Sequence, residues 1–205
     1  MVHLHHTSVT LAAFLLSYMA TPGARAAENH VEYPNLVGGV LGMVVPVSEK
    51  SVYVDSPVGL WGDRSTTWSL GAFYLRKLTS SLRLGTVLEM ESVTAKFHEG
   101  QASGRRTALG VTWLGHYPDG PLSMELGGVT YLGFLKPSSV SPASDTHWDT
   151  LKGIEFGIVV GPSVEIDHLH FAIHWEPLFS WLSGGTPDGV TLTDPRIRLK
   201  VGYAF

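Results

Sequence analysis

From Leu36 onward the chain repeats one pattern, and little else is compatible with it. Apolar side chains take every second position over long stretches, and segments rich in Gly, Pro, Ser and Asp cut these stretches apart. Side chains two apart on a strand share a face. Each stretch therefore reads as a strand with two unlike faces rather than as a helix. The pattern predicts eight strands: Leu36–Val45, Thr66–Lys77, Ser81–Glu91, Arg105–His116, Pro121–Leu132, Thr150–Val160, Ile166–Leu178 and Thr193–Phe205. Soluble strands average ~5–6 residues, whereas a tilted strand that crosses a bilayer needs ~9–11. These have the second length.

The connections add a direction. They are Pro46–Ser65, Leu78–Ser80, Ser92–Gly104, Tyr117–Gly120, Gly133–Asp149, Gly161–Glu165 and Phe179–Leu192. Long and short alternate throughout, as in a barrel with long loops on one side of a membrane and short turns on the other. The fold class predicted is all-β: an eight-stranded antiparallel up-and-down transmembrane β-barrel over residues 36–205.

The two faces differ in chemistry. In the last strand Ile197, Leu199, Val201, Tyr203 and Phe205 oppose Arg196, Arg198, Lys200, Gly202 and Ala204. Elsewhere the polar face carries Arg83, Glu89 and Glu91, then Glu125, Glu155, and His168, His170, His174 and Glu176. A Lys or Arg on the lipid face at mid-bilayer depth costs about 2–4 kcal/mol, so these charges are expected inside. Trp68, Tyr131 and Trp175 toward the loops, with Tyr74, Trp113 and Tyr203 toward the turns, are expected to form the aromatic girdles of a lipid-facing wall. A soluble lipocalin-like ligand-binding barrel is the alternative, since it too has eight strands, with the apolar face turned in.

Ahead of the barrel, Val9–Ala20 is apolar, Thr21-Pro22-Gly23 breaks it, and Ala24-Arg25-Ala26 offers small residues around a cleavage point. This is the layout of a secretory signal peptide. Its first residues depart from the usual form, with His3, His5 and His6 but no Lys or Arg. The apolar run is too short to span ~30 Å of hydrocarbon. The expected organisation is a signal peptide over residues 1–26, cleaved near Ala26, a short periplasmic segment over 27–35, and the barrel.

Composition excludes several functions. Only 16% of residues are charged, against about 25% in soluble domains. A net charge of −4 with no basic stripe argues against nucleic acid as a partner. With no cysteine in the chain, disulfides, thiolate metal sites and cysteine nucleophiles are ruled out.

The final residues, Arg198-Leu199-Lys200-Val201-Gly202-Tyr203-Ala204-Phe205, resemble the β-signal of Gram-negative outer-membrane proteins. The whole resembles the small barrels of the outer-membrane protein A and X type. That resemblance implies an outer-membrane location and contact with outer-membrane lipid and lipopolysaccharide. It also implies that the barrel assembly machinery reads Leu199, Val201, Tyr203 and Phe205 during insertion. The closed fold suggests a monomer.

Candidate site residues follow from the polar face. Arg83, Glu89, Glu125, Glu155, Glu176, Arg196, Arg198 and Lys200 are expected to fill the lumen as a charge network, because a buried charge is tolerated only when paired. The role this suggests is structural or surface-interacting, in envelope integrity or adhesion. A narrow pore, opened by rearranging those pairs, is one alternative. A lipid A-modifying enzyme is another, but His98-Glu99-Gly100, His116-Tyr117-Pro118, His147-Trp148-Asp149 and His174-Trp175-Glu176 all lack the His-x-Ser pattern expected of a deacylase. No catalytic residue, metal or cofactor is assigned. For a metal, only His168 and His170 are close enough on one face to pair, and no third ligand joins them.

Overall fold

A computed structural model describes residues 33–45, 52–55, 60–98, 100–119, 122–141, 149–184 and 189–205. The segments expected to be the signal peptide and most of the periplasmic lead-in lie outside these residues.

The described residues form ten strands. They are β1 Asn35–Val44, β2 Val52–Asp55, β3 Leu60–Arg64, β4 Thr67–Thr79, β5 Leu82–Phe97, β6 Gly100–Asp119, β7 Leu122–Ser141, β8 Leu151–Ile166, β9 Leu169–Ser183 and β10 Gly189–Ala204. Every pairing is antiparallel. The ring closes where β10 pairs with β1, Leu36 opposite Ala204 and Val44 opposite Arg196. At the seam Asn35 and Phe205 exchange two backbone hydrogen bonds, of 3.1 and 2.9 Å.

The register can be followed around the wall. From Asn35 it passes through Arg76, Leu84, Trp113, Gly128, Ile158, Pro177 and Pro195 and returns at Val45, which donates to Pro195 O. The return falls ten residues up β1, so the strands are strongly tilted, as closure of eight strands requires.

Strands reach well beyond the predicted limits on the loop side. β10 pairs first with β1 and then with β2, while β5 pairs with β4 and then with β3. The β2–β3 hairpin thus continues β1 and β4 upward, and eight strands still surround the upper lumen. Val52–Asp55 and Leu60–Arg64 of the expected loop Pro46–Ser65 are wall, as is most of the expected loop Ser92–Gly104. β6 has 20 residues, which at ~3.3 Å each and ~40° tilt rise about 50 Å. An apolar band is only ~25 Å tall, so the barrel stands clear of it at one end. The extensions escaped the sequence pattern because small and polar residues (Ser92, Thr94, Ala102, Ser103) blur the alternation there.

The turn side is tighter than expected. Two residues separate β4 from β5, β6 from β7 and β8 from β9. The third turn is Asp167-His168, not Gly161–Glu165, with Asp167 at φ 52°, a conformation Asp tolerates. Gly161 is instead a wall residue. A Cβ there would collide with the carbonyl oxygen of Ile173 across the ladder.

Outward faces are apolar. Leu70, Leu88, Leu109, Leu132, Ile158, Ile173 and Leu199 are all exposed. Among the described residues, no charged side chain faces outward between Arg76 at the turn end and Arg105, Lys136 and Lys152 at the loop end. An apolar surface of this extent, encircling the molecule, is a lipid-facing belt. Trp68, Trp113, Tyr74 and Tyr203 stand on it, as expected. Tyr131 does not: it shares the parity of Glu125 on β7, points inward and is 1% exposed.

Candidate functional site: the charged lumen

Alternation on β5, β7, β8, β9 and β10 turns the charged positions inward. Among the described residues, six acids (Glu89, Glu91, Glu125, Glu155, Glu176, Asp194) and six bases (Arg64, Arg83, Arg106, Arg196, Arg198, Lys200) are buried. The interior is therefore formally neutral at these positions. That balance allows so many charges to leave water together.

The upper group is interlocked. Glu89 accepts from Arg196 Nη1 at 3.1 Å and from Arg198 Nη2, and Arg106 Nη1 lies 3.7 Å away. Arg198 also reaches Glu176 at 3.0 Å and donates to the Tyr131 hydroxyl at 2.6 Å. Arg106 grips Glu155 with two prongs, Nε to Oε1 at 2.8 Å and Nη2 to Oε2. Arg196 and Arg64 converge on Glu91, which also accepts from Thr67 Oγ1 at 2.8 Å, and Arg64 pairs with Asp194. The Tyr131 ring lies between two guanidiniums, Arg106 at 5.4 Å and Arg198 at 5.6 Å from its centroid. Each guanidinium is thus shared between carboxylates or stacked on an aromatic face, as planar, weakly hydrated cations are when buried.

Glu125 centres a second group nearer the turns. His174 Nε2 is 2.7 Å from its carboxylate, His116 Nδ1 and His170 Nε2 are each 3.7 Å away, and Arg83 Nη1 is at 3.4 Å. Glu165, at the rim, accepts from His170 Nδ1 at 3.1 Å and from Arg83. Lys200 packs its ammonium over the Phe73 ring, 5.6 Å from the centroid.

All eight sequence-predicted lumen residues lie inside, and they divide between these two groups. Arg64, Arg106, Asp194, Tyr131, His116 and Glu165 complete them and were not foreseen. Arg106 could have been found: it shares parity with Ala108, Gly110 and Thr112, too small or polar for a lipid face. His168 does not belong to the lumen. It sits in the β8–β9 turn, bonded to Tyr33 Oη at 3.0 Å and Ala204 O at 2.8 Å and stacked on Tyr203. No pair with His170 on one face exists, and no group of three or more metal-ligating side chains with suitable geometry occurs among the described residues.

One arrangement has the order of a hydrolytic triad. Ser123 Oγ is 3.2 Å from His116 Nε2, and His116 Nδ1 faces Glu125. Its context opposes catalysis. Ser123 is 5% exposed, and Glu125 is already engaged by His174 and Arg83. The backbone around Ser123 is paired on both sides, leaving few N–H groups for an oxyanion.

Above the charges the lumen turns apolar. Val52, Val54, Val93, Ala95, Leu135, Val190 and Leu192 line a small cavity of about 30 Å³. The four last-strand residues Leu199, Val201, Tyr203 and Phe205 face outward, each more than 40% exposed.

A ring of eight tilted strands with an apolar exterior and a charged interior is the fold of a small outer-membrane β-barrel. Neisserial surface protein A is similar in structure over 83% of this chain and 97% of its own, with a TM-score of 0.50 and 12% identity. Ail, the attachment invasion locus protein of Yersinia pestis, aligns over 85% of this chain and 100% of its own (TM-score 0.41, 9% identity). The translocator domain of the autotransporter NalP from Neisseria meningitidis aligns over 97% and 98% (TM-score 0.38, 11% identity). No family model and no curated protein matches the chain.

Proposed function

We propose that this protein is a non-conducting structural barrel of the outer membrane, with a surface-interacting role in envelope integrity or adhesion. Residues 1–26 direct export and are removed near Ala26, residues 27–35 remain periplasmic, and residues 36–205 insert. Leu199, Val201, Tyr203 and Phe205 form the strand that the barrel assembly machinery reads. The closed ring supports a monomer, because a closed barrel has no free strand edge.

The observation that carries this reading is the filled lumen. Twelve buried charges, all but Lys200 in ion pairs within the two groups and with Tyr131 wedged among the upper ones, occupy the section that a conducting path would need. Such an interior does not open without breaking several buried pairs, each costing about 3–5 kcal/mol when one partner is lost. The upward extension supports the surface role, since it lifts the loops clear of the lipid. Purified protein in planar bilayers should be electrically silent, and the mature chain should fractionate with outer membranes. Steady single-channel steps would favour the pore, and recovery from the soluble periplasm would favour the lipocalin-like barrel.

A further inference from the structure

The two halves of the lumen use different kinds of cation. Among the described residues of the upper group the cations are all guanidiniums, those of Arg64, Arg106, Arg196 and Arg198, and a guanidinium keeps its charge at any physiological pH. In the lower group three imidazoles surround one carboxylate. His174 Nε2 lies 2.7 Å from Glu125, and His116 Nδ1 and His170 Nε2 each lie 3.7 Å away. Imidazole is the side chain whose charge ordinarily changes between about pH 5 and 8. All three rings point inward and are at most 9% exposed. His174 Nδ1 is buried without a hydrogen-bond partner, so a proton arriving there finds no acceptor.

The charges that face these rings can be counted strand by strand. β5 brings Arg83, β7 brings Glu125, and β8 brings Glu165 at the rim. β10 brings Lys200, which acts on both Glu125 and His174. β4 brings Lys77, the cross-strand partner of Arg83, and β1 brings no titratable side chain. The next acids above, Glu89 and Glu176, are held by Arg198. With neutral imidazoles, Arg83 and Lys200 balance Glu125 and Glu165, and Lys77 adds only to the positive side. Each proton taken up by His116, His170 or His174 therefore places an uncompensated charge in a buried setting. Burying such a charge is costly, and the entry of water relieves it.

We infer that the turn side of the lumen is a proton-operated vestibule. In acid, the charges gained by His116, His170 and His174 part the packing around Glu125 and admit water, while the arginine–carboxylate group above stays shut. The direction follows from the count of charges. The unfolded chain takes up these protons freely in water, whereas the folded lumen resists them. The stability of the lower half is therefore present above the imidazole range and lost as pH falls through it. The upper group keeps its pairs over the same range, because carboxylates beside guanidiniums protonate only at far lower pH. The vestibule goes beyond the structural reading above and leaves the barrel electrically silent in acid as at neutral pH.

Ser163 gives the test its site. It is 2% exposed, and its cross-strand partners are Ser123 and Ala172. Ala172 lies between His170 and His174 on the inward face of β9. The full mature barrel carrying Ser163→Cys is placed in nanodiscs and treated with a small neutral thiol reagent at about pH 7.5 and about pH 5, on either side of the imidazole range. Its rate is divided by that of Ser80→Cys in the exposed β4–β5 turn, which removes the reagent's own pH dependence. The ratio should rise about tenfold or more in acid, and the urea midpoint should fall. In the background His116→Gln, His170→Gln, His174→Gln the ratio should stay level and the midpoint should fall less. A ratio that does not rise, or that rises equally in that background, overturns the vestibule. So does a rise with an unchanged midpoint, since imidazolium charge alone activates a thiol. Should the triple variant fail to insert, His116→Gln decides: a smaller rise in acid supports the vestibule and an unchanged rise overturns it. Single-channel steps that appear in acid alone overturn the closed upper group, whereas steps at neutral pH overturn the non-conducting barrel itself.

Discussion

Arg106 on β6 and Glu155 on β8 meet over the inner face of β7 as a two-pronged pair, both fully buried. The strands that carry them are not neighbours; β7 lies between. The pair therefore braces one arc of the wall from the inside, over an intervening strand, rather than along a ladder. Removing one partner strands a charge. Glu155→Ala should lower unfolding stability by about 3–5 kcal/mol, as read from urea titrations in lipid vesicles. Arg106→Met with Glu155→Leu should recover much of it. A double variant no better than the single would mean the pair is not the unit of stability.

Glu155 needs room on the β7 side. Gly133 supplies it: a Cβ at that position would meet the Glu155 carboxylate, with Cγ at 3.2 Å. Gly133→Ala should cost about 1–3 kcal/mol through overpacking. The same substitution made on Glu155→Ala should cost much less, and a double-mutant cycle measures the difference.

Arg198 and Lys200 sit two residues apart on the same inward face of β10 but have different partners. Arg198 contacts Glu89, Glu176 and Tyr131, whereas Lys200 lies over Phe73. Arg198→Met should therefore cost more than Lys200→Met, by about 2 kcal/mol or more, because it leaves carboxylates without a counter-charge. Equal costs in parallel urea titrations would show that the upper group is not a connected network.

The outward residues of the last strand bear on assembly rather than on lumen packing. Tyr203→Ser together with Phe205→Ser should reduce insertion by purified assembly machinery in proteoliposomes, with unassisted folding into detergent less affected. An equal loss in both assays would assign these residues to folding alone.

Much of the fold was legible because lipid enforces strict alternation wherever a strand crosses it. Residues 197–205 show this in pure form, and Glu125, Glu155 and Arg198 could be placed inside from parity alone. Above the membrane the constraint lapses. Water accepts polar side chains on the outer face, so β2, β3 and the upper parts of β5 and β6 lost their signature. Tyr131 misled because an aromatic near a strand end has two explanations, a girdle or a lumen filler, and only its parity with Glu125 decides. Pairings such as Arg106 with Glu155 join strands that are not adjacent, and the alternation along one strand carries no information about which other strand its inward side chains reach.

Each membrane-spanning strand turns an apolar face to lipid and the opposite face to the lumen that holds the charges. The chain has no cysteine, so single cysteines can be placed at will. A bimane label on Leu199→Cys, in vesicles with brominated acyl chains, should be strongly quenched. The same label on Ala172→Cys, whose side chain is buried in the lumen, should be shielded from that quencher. Quenching of the Ala172 label with protection of the Leu199 label would place the apolar face inside and contradict the membrane barrel.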